Sequence, residues 1–306
     1  MEINYIIEIW TKSKMEVRMG NYKLGVTTSI ITIIANMTLA SIKIFAGIFG
    51  NSRAMIADGI HTLSDILTTL VVILGLQISS KEADREHPYG HERYESVFAK
   101  LLSILLLLTG AFIGYDSLKV LISGDIVEPK IIALVAAGIS VVVKEGMYHY
   151  TIRVAKKIKS LSMEADAWHH RSDAFSSIGT FMGILGARLG LVALDPIAGI
   201  IVSILVIKVG IDLYIKSIRE LVDEAASDEV IAKIKKLTRA TKGVRGIKEV
   251  KTRNFGNRIY VDLEVYVDSH ITVKEGHDIA EKVHDKLEYE IEDIKHCMVH
   301  IEPYFE

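Results

Sequence analysis

Six long apolar runs occupy the first two thirds of the chain, over residues 24–50, 54–79, 97–122, 131–152, 163–191 and 196–215. Each is long enough to cross a bilayer as a helix. The last opens on Asp195-Pro196, a helix-start signal. The fifth is the most polar, because Asp166, His169, His170, Arg171 and Asp173 interrupt its first half. Beyond Ser227 the periodicity becomes that of a small α/β unit. Residues 227–240 and 273–289 read as amphipathic helices, while 246–254, 258–268 and 294–302 alternate as strands, the first two around an Asn254-Phe255-Gly256-Asn257 hairpin.

Charge follows the same division. Asp, Glu, Lys and Arg number 7 in residues 1–23, 32 in the 192 residues of 24–215, and 35 in the 91 residues of 216–306. One soluble domain has no reason to separate its charge this way, so the pattern predicts a membrane-embedded body carrying a soluble domain. The expected architecture is a short N-terminal segment (1–23), a six-helix transmembrane domain (24–219) and a small α/β domain (220–306). Lys12, Lys14, Arg18 and Lys23 precede the first run, and Arg153, Lys156, Lys157 and Lys159 follow the fourth, whereas the opposite loops hold single basic residues. The positive-inside rule therefore puts both termini in the cytoplasm of a multi-pass protein of the cell (inner or plasma) membrane. A formal net charge of −2 excludes a strongly basic nucleic-acid binder, and the lone Cys297 excludes an intramolecular disulfide or a multi-cysteine metal site. No secretory signal is visible at the N-terminus.

The most specific motif is an internal echo. Ala57-Asp58-Gly59-Ile60-His61-Thr62-Leu63-Ser64-Asp65 and Ala165-Asp166-Ala167-Trp168-His169-His170-Arg171-Ser172-Asp173 share Ala, Asp, His, Ser and Asp at equivalent places. On a helix, Asp at i, His at i+3 and Asp at i+7 fall on one face. Asp65 lies about 18 Å down its helix at 1.5 Å per residue, near mid-bilayer, and Asp173 falls at similar depth on an antiparallel helix. His61, Asp65, His169 and Asp173 then form an N₂O₂ set suited to tetrahedral Zn²⁺. Charged groups at that depth cost several kcal/mol and are seldom kept without a role. Asp58 and Asp166, one turn further along each stripe, are accessory positions for capping, ligand support or proton relay.

These paired His-x-x-x-Asp motifs, the six-run layout and the α/β tail resemble the cation diffusion facilitator family of divalent-metal/proton antiporters, over almost the whole chain from Leu24 onward. The resemblance implies that the quartet is the transport site, with the two His/Asp pairs resembling the zinc-transporting branch; manganese-transporting relatives typically replace one or more of the histidines by Asp or Asn. It also implies a homodimer whose soluble domains are ferredoxin-like and metallochaperone-like. Asp84, His87 and His91, a carboxylate and two imidazoles around a Pro-Gly turn, match the family's loop site. In the soluble domain, strand alternation puts Asp262, Glu264 and Tyr266 on one face and His296, Met298, His300 and Glu302 on one face, with Cys297 inward. The family's cytoplasmic zinc site matches Asp262, His277, His300 and Glu302, with Asp where some relatives have His. His284 and His296 are accessory candidates, His270 a weaker one. Arg93 and Asp223 match a charge interlock at the family's dimer interface.

Neutral imidazole binds metal and imidazolium does not, so protons and metal compete at one set of nitrogens. That chemistry predicts alternating access, with Zn²⁺ leaving the cytosol and protons entering, and no organic cofactor. A membrane metalloenzyme lacks support, since neither a His-Glu-x-x-His motif nor dense His-x-x-His boxes occur. A non-transporting metal sensor on the same fold, or transport of Mn²⁺, Fe²⁺, Co²⁺ or Cd²⁺, are the competing readings. The pattern assigns no partners to Lys43, Asp116, Lys144 or Glu145.

Overall fold

The computed structural model describes residues 2–49, 53–123, 131–188 and 194–305, and it divides into two units, 1–217 and 218–306. The first contains long helices: α1 (Glu2–Phe49), α2 (Arg53–Ser79), α3 (Tyr94–Ser123), α4 (Ile131–Ile158), α5 (Leu161–Arg188) and α6 (Leu194–Leu221), the last reaching into the second unit. Every apolar run is thus helical where described, and residues 50–52, between the first two runs, lie outside the described residues. Among the described residues, three segments are long and apolar enough to cross a membrane, Met19–Ala46, Gly59–Ser79 and Tyr94–Ser123. The other helices expected to span carry more charge along their length, Lys144, Glu145 and Arg153 on α4 and Asp166, Arg171 and Asp173 on α5. A further difference from expectation is α1, which continues without a break through the polar stretch ahead of Leu24.

Helix α1 packs on α2 and α4, α4 on α5, and α5 on α2 and α3. Leu76, Leu102, Leu106, Ile158, Met163 and Val206 are among the buried side chains of the shared core. Phe45, Leu67, Leu108, Phe112, Val142 and Ile204 point outward, an apolar exterior expected of lipid-facing helices. Helices α3 and α6 approach closely because glycines face them: a Cβ on Gly110 would sit 2.9 Å from Ile207 Cγ1, and one on Gly210 2.9 Å from Leu107 Cγ. Lys159, at φ 55, closes α4, and the Ser160 N–H donates to the Ala155 carbonyl. Glu95 at the start of α3 accepts from the hydroxyls of Ser79, Ser160 and Ser162 and from the Ser162 N–H, so a buried carboxylate caps the N-terminus of α5.

The second unit folds as α7 (Asp228–Arg239), β1 (Gly246–Phe255), β2 (Arg258–Asp268), α8 (Val273–Glu290) and β3 (Ile294–Tyr304). Strands β1 and β2 form the expected antiparallel hairpin, tightened by Gly256 at φ 61. Strand β3 pairs parallel to β2 after the α8 crossover, giving the order β1-β2-β3. A complete ferredoxin-like sheet has a fourth strand; three are present among the described residues. Val261, Leu263 and Val265 of β2 and Cys297 of β3 pack with Ile234 of α7 and Val283 and Leu287 of α8. Helix α8 opens on a capping box, in which Thr272 accepts from the Glu275 N–H and Glu275 accepts from the Thr272 N–H.

Candidate metal centre

The carboxylate–imidazole stripes of α2 and α5 meet. Both Asp65 and Asp173 are buried, at 2% and 7% relative exposure. His61 Nε2 lies 3.9 Å from Asp65 Oδ1 and 4.0 Å from Asp173 Oδ1, and His169 Nε2 lies 3.5 Å from Asp65 Oδ1. Ligand atoms of His61, Asp65 and Asp173 all fall within 4.8 Å of one another. Asp173 Oδ1 and His169 Nε2 are buried without a hydrogen-bond partner. Such orphaned atoms are costly unless something else occupies the space between them.

A residue to which the sequence pattern assigned no partner completes the centre. Lys144 of α4 is fully buried, and its Nζ donates to Asp65 Oδ2 at 2.6 Å and to Asp173 Oδ2 at 2.7 Å. The ammonium engages the second oxygen of each carboxylate, leaving Oδ1 of both facing the histidines. The sequence signal was there, a lone cation in an apolar run, but its partners depend on how α4 packs on α2 and α5.

One turn away, Thr69 of α2 donates to Asp166 Oδ1 at 3.3 Å, and His170 Nε2 lies 3.5 Å from Asp166 Oδ2. Asp166 therefore ties α5 to α2 beneath the quartet. The side chain of Asp58 lies outside the described residues. Lys43 donates to Thr62 at 3.1 Å, linking α1 to α2. Glu145 pairs with Arg171 at 3.5 Å and with His149 at 3.2 Å, while the Arg171 guanidinium stacks 4.3 Å from the Tyr148 ring. Asp116 is exposed.

The α2–α3 loop also assembles three ligands. Asp84 Oδ1 accepts from the backbone N–H groups of His87 (2.7 Å) and Glu86 (3.0 Å), which holds its carboxyl below the usual carboxylate range. His87 Nδ1 stands 3.5 Å from Asp84 Oδ1 and His91 Nε2 3.4 Å from Asp84 Oδ2. His91 Nδ1 donates to the Glu82 carbonyl at 3.0 Å, which leaves Nε2 as the free ring nitrogen.

The four soluble-domain residues are not gathered in the same way. Asp262, His300 and Glu302 alternate with residues that pack wholly or partly into the core, but His277 is an exposed residue of α8, which packs on the core face. Within a single chain they are not among the ligand groups that converge on a point. Glu302 instead bonds Lys248 at 2.7 Å, which also pairs with Glu264 at 2.9 Å; this lysine lowers the Glu302 carboxyl from its ordinary range. Arg93 lies just ahead of α3, and Asp223 in the turn after α6 at φ 63.

Residues 29–222, which contain the quartet, match the family model of the cation efflux transmembrane domain. The chain belongs to the cation efflux family. Residues 226–304 match the family's ZT_dimer model, the cytoplasmic domain of cation efflux proteins. The cation efflux match bears out the family resemblance read from the sequence, and the chain is accordingly a membrane-embedded divalent metal cation efflux transporter. Similar proteins include an uncharacterized transporter of Methanocaldococcus jannaschii, 38% identical over 273 residues (89% of this chain, 96% of that one). The manganese efflux system protein MneP of Bacillus subtilis is 32% identical over 285 residues (91% and 96%). The magnetosome protein MamB of Magnetospira sp. is 29% identical over 268 residues (88% and 92%). Among solved structures, a MamM CTD is 28% identical, covering 25% of this chain and 98% of that chain at a TM-score of 0.25.

Proposed function

We propose that this cation efflux protein is a metal/proton antiporter that binds one divalent transition-metal ion between α2 and α5, on His61, Asp65, His169 and Asp173. The observation that carries this reading is the convergence of His61, Asp65 and Asp173, with His169 Nε2 3.5 Å from Asp65 Oδ1, and with Asp173 Oδ1 and His169 Nε2 buried without a hydrogen-bond partner. Two carboxylates supply the countercharge a dehydrated dication needs, and two imidazoles supply nitrogens for which protons compete.

Lys144 gives the metal-free state its own cation. Without it, two carboxylates would face each other in a low-dielectric interior. With it, an arriving ion meets a centre already neutralised in part and displaces the ammonium from Asp65 and Asp173. As the ion leaves, the ammonium returns. Lys144 thus lowers the affinity of the empty site and promotes release.

The N₂O₂ donor set favours Zn²⁺ as cargo. Manganese is the second reading, favoured by similarity to MneP and to MneS of the same organism, 32% identical over 292 residues. The ZT_dimer match supports a homodimer, and the distribution of basic residues supports termini in the cytosol. Uptake of each ion into proteoliposomes with an acidic interior, measured for a panel of divalent cations, tests the cargo and the coupling together. Equal flux with and without the pH gradient would exclude antiport.

A further inference from the structure

A third convergent set of ligands lies in the soluble domain, apart from the positions that match the family's cytoplasmic site. His284 and Glu288 are four residues apart on α8 and so share a face. His296 comes from β3, the strand at the edge of the sheet. Ligand atoms of the three residues lie within 4.8 Å of one another.

The local architecture orients them. At the open edge of β3, the Cys297 N–H donates to Glu288 Oε1 at 3.0 Å, and the Cys297 carbonyl accepts from His284 Nδ1 at 2.6 Å. A carbonyl can only accept, so His284 Nδ1 carries the proton, and in the neutral ring the lone pair is on Nε2. That nitrogen points at Glu288 Oε1 from 3.4 Å, and His296 Nδ1 approaches the same oxygen to 3.3 Å. In the neutral ring the His284 Nε2 lone pair faces the carboxylate oxygen, a repulsion that a cation between them would relieve. Ligands bound at about 2.0–2.1 Å in a tetrahedral site stand about 3.3–3.4 Å apart, the separation of each histidine nitrogen from Glu288 Oε1 here. Glu288 is buried at 8% relative exposure, whereas His296 faces solvent, so the set is closed on the protein side and open on the other. An imidazole fixed by a backbone carbonyl through its second nitrogen is the usual support for a metal-ligating histidine.

We propose that His284, Glu288 and His296 bind one divalent transition-metal cation, with a fourth position left to water, and that the ion clamps α8 to the edge of β3. This site is independent of the transport centre. Its ion would come from the solution around the soluble domain and would add to a helix–strand contact already made by core packing and by the two hydrogen bonds to Cys297.

The test uses the full-length protein in detergent, stripped of metal and dialysed to equilibrium against Zn²⁺ and, separately, Mn²⁺. His296→Ala removes an exposed ligand, and Glu288→Gln removes the carboxylate while keeping an acceptor for the Cys297 N–H. For at least one of the two ions, each variant should hold one ion per chain fewer than the wild type, with metal-free unfolding temperature unchanged for His296→Ala. Asp65→Asn, which disables the transport centre, should leave that ion in place. Unchanged stoichiometry in both variants overturns the site. So does a Glu288→Gln protein that loses metal-free stability but no ion, because the cluster is then only a hydrogen-bonded cap on the strand edge.

Discussion

Two carboxylates and an ammonium buried together are stable only as a set. Removing one partner of such a group typically costs about 3–5 kcal/mol, because the remaining charge is left unpaired in the interior. Lys144→Met is therefore expected to lower the metal-free unfolding temperature and to give a larger rise than the wild type on adding the transported ion, which takes over the two carboxylates. Thermal unfolding with and without metal checks this; equal shifts in both proteins would show that Lys144 does not compete with the cargo. Cys297 offers an independent check in the soluble domain. Burial, followed by the nearby charges of Glu288 and Asp262, pushes its thiol up to about 12. Only the thiolate is nucleophilic, so iodoacetamide at about pH 8 should label Cys297 in denaturant and leave it unmodified in the folded protein. The quartet was legible in the sequence because a helical stripe was written twice, and the spacing His-x-x-x-Asp fixes a face without any tertiary knowledge. Lys144 was not, since nothing in its own helix says which carboxylates α4 will bring to it.

Between helices, the close approach of α3 and α6 rests on the absence of side chains at Gly110 and Gly210. Gly110→Leu would drive a side chain into Ile207, whose backbone nitrogen would lie 3.2 Å from the new Cβ, and overpacking of this kind costs about 1–3 kcal/mol. A lowered unfolding temperature of the detergent-solubilised protein is the expected result, and an unchanged one would mean that α6 simply moves aside. The strands of the soluble domain were legible from alternation alone: Leu263, Val265 and Cys297 are buried as their positions required, and Asp262, His296 and His300 are exposed. Alternation does not say what lies beside an edge. His284 and Glu288 meet β3 through the backbone of Cys297, a contact between a helix and a strand edge that no strand pattern encodes. Likewise the shared polarity of Asp262, His300 and Glu302 placed them on one face but did not bring His277 to them, because α8 covers the other side of the sheet. The continuation of α1 through its polar N-terminal stretch was also illegible, since hydropathy marks where lipid contact is favourable and not where a helix ends.

At the scale of the whole molecule, a charge-poor helical unit carries the proposed site for a dication and a charge-rich α/β unit carries candidate ligands of its own. This division was legible from charge counts, and the motif echo points to the proposed site within it. The span count was less so: α5, expected to cross the membrane, carries Asp166, Arg171 and Asp173 and is not among the three apolar segments found in the described residues. The proposed coupling of export to protons rests on imidazole and carboxylate groups that can bind either a metal ion or hydrogen ions. The most direct test is metal uptake into proteoliposomes with an acidic interior, comparing wild type with His61→Ala and Asp173→Ala. The wild type is expected to accumulate Zn²⁺ or Mn²⁺ as the interior loses protons, and both variants to fall to the level of protein-free vesicles. Normal proton-driven uptake by either variant would contradict the assignment of the quartet as the transport site.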